Sequence, residues 1–249
     1  MGDGLRRATG PIKVKNSGLK RIVTLSSEQW LKSYTDDFLI KSRTPRIDPG
    51  WFHPSSLSHP CDRKLAFEFL GIPRTELGTT AQLMRIFQNG DMVHRRWQAY
   101  FRVMGILVKR EAKFEVGSPP IRGSADAIIR HPVTDEKSIV EIKSINEKGF
   151  LKLTAPWPSH FNQLNIYMGG HGIFNGLVLY ENKNDQSVKV YPVKHDATKW
   201  EQIQFRLLKI VRLLQKEEMP KPYIHDGCIK CPFYGICGEF QLKDHVNGI

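Results

Sequence analysis

Asp126, Glu141 and Lys143 are the residues whose types and spacing could do chemistry. They lie in one stretch that reads Gly123 to Arg130, a polar turn from His131 to Lys137, then Ser138 to Ile145. Both flanks are short, rich in β-branched residues and bounded by Gly, Pro and Asp, as strands are. Alternate side chains of a strand face opposite ways, so Glu141 and Lys143 share one face while Val140 and Ile142 take the other. A hairpin here brings Asp126 alongside Glu141. Carboxylates packed together repel, and a cation relieves the repulsion; hard oxygen donors of this kind suit magnesium or manganese. The Lys143 ammonium would orient or deprotonate a water, or neutralise charge developing on a phosphate. Glu-x-Lys on a strand is also an ordinary solvated charge pair, so the other signals in the chain must decide.

His94 sits in a long helical segment, about Ala81 to Met104, four residues after Gly90 and directly before Arg95 and Arg96. A helical histidine is commonly structural, but flanking arginines favour a site that faces phosphates. Gln163 and Tyr167 stand at i and i+4 of a helix expected over about Trp157 to Met168, which puts them on one face, placed to grip a phosphate or a strand. The four cysteines form a further constellation: Cys228, Cys231 and Cys237 read CxxC-x5-C, and Cys61 lies far upstream. Thiolates this close together are relieved by a shared zinc ion or iron–sulfur cluster. Cys61 is one candidate for the fourth ligand, and His59 or His225 could instead complete a zinc site; spacing alone does not choose.

Lys and Arg total 37 against 25 Asp and Glu, a formal net charge of +12 in 249 residues. With a pI near 9.6, the excess implies a polyanionic partner, and nucleic acid fits best. A mean hydropathy of −0.38 and the lack of any long apolar run exclude a membrane span. Arg6, Arg7, Lys13 and Lys15 are not backed by an apolar stretch, so a secretory signal is not expected and the cytoplasm is the default location. Three cysteines within ten residues do not form a disulfide framework.

The elements that must position these groups read in order. Residues 1–25 are a basic, flexible tail. Residues 26–80 form a helical region, with Ser26 and Gln29 opening a first helix through Ile40 and Ser58 capping a second over His59 to Leu70. Trp30, Leu31, Tyr34, Phe38 and Leu39 are its apolar face. Residues 81–218 hold the core: the His94 helix, a strand from Ile106 to Val116, the hairpin, the Gln163 helix, strands at Gly176–Glu181 and Ser187–Val193, and an amphipathic helix from Ala197 to about Glu218. Pro220 and Pro222 break that helix before the cysteine region, 219–249. The pattern is an α/β core, a mixed central sheet flanked by helices, with helical additions at both ends.

Gly90-x3-His94, Gly123-x2-Asp126, Glu141-Ile142-Lys143 and Gln163-x3-Tyr167 resemble, in order and approximate spacing, the motifs of the RecB-type PD-(D/E)xK nucleases. The cysteine arrangement is similar to the iron–sulfur branch of that family, which includes AddB and the CRISPR-associated RecB-like exonucleases. The resemblance covers about residues 55 to 240. It implies a restriction-endonuclease-like core whose N-terminal helices and C-terminal tail are joined by a four-cysteine cluster. By it, His94, Asp126, Glu141 and the Ile142 carbonyl are ligands of Mg2+ or Mn2+, and Lys143 is the catalytic lysine. Gln163 and Tyr167 belong to the motif that positions DNA, with Arg95 and Arg96 beside it. Cys61, Cys228, Cys231 and Cys237 are implied to bind a 4Fe–4S cluster. Ala125 stands where the name-giving proline would be, a position that supplies no ligand.

The expectation is a metal-dependent deoxyribonuclease, an exonuclease on single-stranded or frayed DNA ends, with recombination or CRISPR proteins as candidate partners. No motif of the GxxxxGK[ST] type accompanies it, so no motor is expected in this chain. The alternative is a non-catalytic basic DNA-binding adaptor, stapled by zinc.

Overall fold

Alternation of apolar and polar residues from Leu107 onward yields a sheet whose five strands lie side by side in chain order. The computed structural model describes residues 29–42, 47–74 and 80–238. The expected basic tail and the Ser26 cap lie outside them. Strands β1 (Leu107–Gly117), β2 (Pro120–Arg130) and β3 (Lys137–Ile145) form an antiparallel meander. Strand β4 (Asn175–Asn182) runs parallel to β3, and β5 (Val188–Lys194) returns antiparallel to β4. The sheet is therefore mixed, as the sequence suggests.

Helices preceding and following the strands are α1 (Trp30–Lys41), α2 (Asp62–Phe69) and α3 (Ala81–Val103), then α4 (Glu147–Leu151) and α5 (Pro158–His171) in the β3–β4 crossover, then α6 (Ala197–Gln215) and the short α7 (Tyr234–Cys237). The sequence reading missed α4, five residues capped by Asn146, whose side chain accepts from the Gly149 amide. The expected Ser58 cap is also corrected. Cys61 is the N-cap residue of α2, and the Ser58 hydroxyl donates instead to the Ser159 carbonyl, 3.2 Å away.

Alternation along β3 divides the core. Ile139 and Ile145 join Leu164 and Met168 of α5 and Leu207 and Ile210 of α6 in one cluster. Val140 and Ile142 join Val93 and Phe101 of α3 in another. Each such side chain contributes about 1.5–3 kcal/mol when removed from water, which fixes the register: a one-residue slip would exchange the two faces. Glu141 and Lys143 consequently lie on the α5 face.

The chain divides into two compact units, Met1–Thr44 with Thr79–Arg85, and Pro45–Gly78 with Ile86–Ile249. In the first, Asp36 accepts from Lys32 at 2.7 Å and Arg85 at 2.5 Å. Its helix α1 buries Leu39, and the other residues of its apolar face, Trp30, Leu31, Tyr34 and Phe38, are exposed.

Two glycines of the second unit make a direct test of packing. A Cβ on Gly170 of α5 would overlap the Phe114 ring of β1, whereas one on Gly90 of α3 would meet nothing within 4 Å. Gly170→Ala should lower stability by about 1–3 kcal/mol, and Gly90→Ala should raise it by roughly 0.5–1 kcal/mol. Urea unfolding midpoints check both signs.

Candidate active site

Strands β2 and β3 pair from Arg130–Lys137 to Ala127–Val140 and then part. Asp126 and Glu141 are the next residues on the two strands, so the expected juxtaposition is present. Beyond the last pair the Ile142 amide has lost its strand partner, and it donates to Asp126 Oδ2 at 2.7 Å. The amide and carbonyl of one strand residue point to the same side, so the Ile142 carbonyl faces the same opening. A side-chain carboxylate thus replaces a ladder bond where the sheet splits.

Glu141 is 1 % exposed. Its Oε1 pairs with Lys143 Nζ at 2.5 Å, while Oε2 is buried without a hydrogen-bond partner among the described residues. Lys143 Nζ donates to Gln163 Oε1 at 3.2 Å, and Gln163 Nε2 donates to the Tyr167 hydroxyl at 3.1 Å. The i, i+4 pair of α5 therefore acts on the site by holding the lysine. Tyr167 is buried at 5 % exposure, and burial pushes its hydroxyl well above the usual tyrosine range. Helix α5 is itself anchored by Pro158 in its first turn and by the Trp157 amide donating to the Tyr180 hydroxyl at 3.0 Å.

From the opposite side α3 brings His94 Nδ1 to 3.4 Å from Asp126 Oδ1. Arg95 is exposed. Arg96 is ion-paired with the buried Glu181 of β4, whose other oxygen accepts from Trp97 Nε1 at 2.7 Å. Arg96 thus ties α3 to the sheet. Two polar residues that the sequence reading did not single out also reach the site. Gln98 lies one turn beyond His94, and its Nε2 donates to Glu111 Oε1 at 2.7 Å and to the Asp126 carbonyl at 2.9 Å. The i+4 spacing from His94 was the available signal for Gln98; Glu111 carried none.

Burial, opposed by the Ile142 amide and by Lys143, pushes the Asp126 carboxyl up to about 7. Burial and then the neighbouring Asp126 push Glu141 up to about 7, against the pull of Lys143. Two buried carboxyls that resist ionisation together, one with an unpartnered oxygen, are a donor set suited to a hard divalent cation. Among the described residues no three His, Cys, Asp or Glu side chains stand in a metal-holding arrangement, here or at the cysteines; at the strands, the Lys143 ammonium faces Glu141 instead.

Helix α2 packs against the C-terminal segment that carries three of the cysteines. Cys61 is buried and the other three are half-buried, all as free thiols. Burial pushes the Cys237 thiol up; Arg63 opposes, and Cys61, Cys231 and Cys228 add to the rise, so all three lie within electrostatic reach of Cys237. Arg63 Nη1 also donates to the Cys237 carbonyl at 2.8 Å. His59 Nδ1 accepts from the Cys61 amide at 3.2 Å, and its ring centroid lies 5.6 Å from that of His225.

Solved structures share this arrangement of strands and helices. The crystal structure of SSO0001 matches with a TM-score of 0.54 at 20 % identity, over 87 % of this chain and 98 % of that one. An alkaline exonuclease from Laribacter hongkongensis, LHK-Exo, matches with a TM-score of 0.50 at 16 % identity, over 68 % of this chain and 89 % of that one. The likeness is one of fold. The chain shares a mixed α/β fold with these structures. No protein-family model matches the chain, and no curated protein matches it in sequence.

The raised carboxyls give a pH dependence with a definite sign. Between the ordinary values of 3.8 and 4.5 and the folded value of about 7, these two carboxyls bind more protons in the folded chain than in the unfolded one. The contribution of these two carboxyls to the stability of the metal-free protein should therefore fall as pH rises through that window, by up to about 1.4 kcal/mol per unit each, while His59 and His160, which burial pulls down to about 4, contribute in the opposite direction. Urea unfolding of wild type and Glu141→Gln in chelator from about pH 5 to about pH 7 checks it: wild-type stability should fall relative to the variant's as pH rises. A wild-type stability that does not fall relative to that of Glu141→Gln across the window contradicts the burial assignment.

Proposed function

We propose that this chain is a divalent-metal-dependent DNA nuclease, an exonuclease acting on single-stranded or frayed ends. The observation that carries the reading is the pair of buried carboxyls, Asp126 and Glu141, at the parting of two strands, with Lys143 held beside them by Gln163. The fold it shares with an alkaline exonuclease and the net charge of +12 support it. Asp126, Glu141, His94 and the Ile142 carbonyl would hold magnesium or manganese. When bound, such an ion lowers the pKa of water and stabilises charge on the transferring phosphoryl group.

This chain's own residues do the rest. Asp126 is held in one orientation because its Oδ2 is committed to the Ile142 amide, which leaves Oδ1 toward the opening. Lys143 is held by Gln163, and by Glu141 until an ion would draw that carboxylate away. Its remaining proton is free to donate to the attacking water or to a phosphate oxygen, where charge accumulates as the P–O bond to the leaving strand breaks. Arg95, exposed beside His94, supplies positive charge for the approaching backbone. Gln163 and Tyr167 position the lysine, and through it the strand.

The four cysteines would hold a 4Fe–4S cluster that staples the start of α2 to the C-terminal segment, a structural role in which zinc is the substitute ligand set's other occupant. Because the ligands come from both ends of the described chain, Cys61→Ala should lower the thermal midpoint by the equivalent of several kcal/mol before it alters cleavage. Unchanged unfolding in that variant refutes the staple.

Asp126→Ala and Lys143→Ala should each lose at least about a hundred-fold of magnesium-dependent cleavage of end-labelled DNA, with binding in calcium near that of wild type. Full cleavage by purified Asp126→Ala overturns the assignment. Substrates blocked at the 5′ or the 3′ end test the exonuclease reading, since an exonuclease stops at one of the two blocks.

A further inference from the structure

The β1–β2 ladder pairs Arg110 with Ala127 and Ala112 with Ala125, so Glu111 and Asp126 face each other between those pairs. Glu111 has φ +45°, a left-handed conformation that a residue with a long side chain rarely adopts. Such a backbone persists only where its surroundings hold it, and it collects at functional sites. The surroundings here are specific. Gln98 Nε2 donates to Glu111 Oε1 at 2.7 Å and to the Asp126 carbonyl at 2.9 Å, and Ser124 Oγ donates to Glu111 Oε2 at 3.3 Å. Gln98 is itself 6 % exposed, and both of its amide protons are committed.

We propose that Gln98 and Glu111 are a positioning pair that aims Asp126 at its cation. The inference rests on the nuclease reading. Asp126 is tethered at two points: its side chain to the Ile142 amide and its carbonyl to Gln98. Removing the second tether frees the peptide to rotate at the residue whose remaining oxygen must meet the ion. Glu111 keeps the Gln98 amide turned toward Asp126, since without the carboxylate one of its protons would be buried without an acceptor. The same arrangement puts Gln98 one helical turn from His94, so one face of α3 both supplies a ligand and fixes another.

Glu111→Gly separates this role from a merely structural one, because it removes the carboxylate and relieves the backbone together. Calorimetric titration with calcium, without DNA, should show affinity weakened about ten-fold or more with the thermal midpoint unchanged or raised. Magnesium-dependent cleavage should lose about ten-fold or more in kcat, with KM for DNA within about two-fold. Glu111→Gln still offers Gln98 an acceptor and should recover most of both. Wild-type calcium affinity and kcat in Glu111→Gly overturn the inference and leave the nuclease reading standing. A Glu111→Gly protein that loses both only with a lowered midpoint, and is not rescued by glutamine, overturns it as well. A wild-type protein that neither binds calcium nor cleaves DNA overturns the nuclease reading, and this inference with it.

Discussion

A backbone amide that gives up its strand partner for a carboxylate organises this molecule. Where β2 leaves β3 after Ala127 and Val140, the Ile142 amide must find an acceptor, because an orphaned buried donor costs on the order of 1–3 kcal/mol. Asp126 supplies it. The opening that results is lined by Glu141, by Asp126 and by the carbonyl edge of β3. Were the two strands zipped to their ends, the Ile142 amide would have a backbone acceptor on β2 and would not hold the Asp126 carboxylate.

The charges in that opening are held by residues drawn from three directions. Helix α3 brings His94 and Gln98, and the Arg96–Glu181–Trp97 contact locks that helix to β4. Helix α5 brings Gln163 and, behind it, Tyr167. Strand β3 brings Glu141 and Lys143 on one face because Val140 and Ile142 are needed in the core on the other. Apolar burial thus decides where the polar groups stand, and the cost of holding two carboxyls in a dry place appears as their resistance to ionisation. That cost of ionising in a dry place is what a divalent cation would offset.

Much of this was legible in the sequence where the pattern is local. Period-two alternation placed Glu141 and Lys143 together, and hairpin symmetry placed Asp126 beside Glu141. The i, i+4 spacing put Gln163 and Tyr167 on one face, although it did not reveal that Tyr167 would be buried behind the glutamine rather than open to a ligand. What was not legible depends on partners far apart in the chain. Arg96 reads as a free cation until β4 delivers Glu181 from 85 residues away. Ser58 reads as a helix cap until α5 offers the Ser159 carbonyl. Glu111 has no propensity for a left-handed backbone, so its conformation is imposed by tertiary contacts with Gln98 and Ser124.

The central claim is that the parting of β2 and β3 makes a cation site from Asp126, Glu141 and the Ile142 carbonyl. Anomalous diffraction from crystals grown with manganese tests it without reference to any reaction. The account predicts one strong manganese peak between the Asp126 and Glu141 carboxylates, with the Lys143 ammonium moved aside from Glu141. Crystals with manganese bound elsewhere, and the Lys143–Glu141 contact intact, would contradict it.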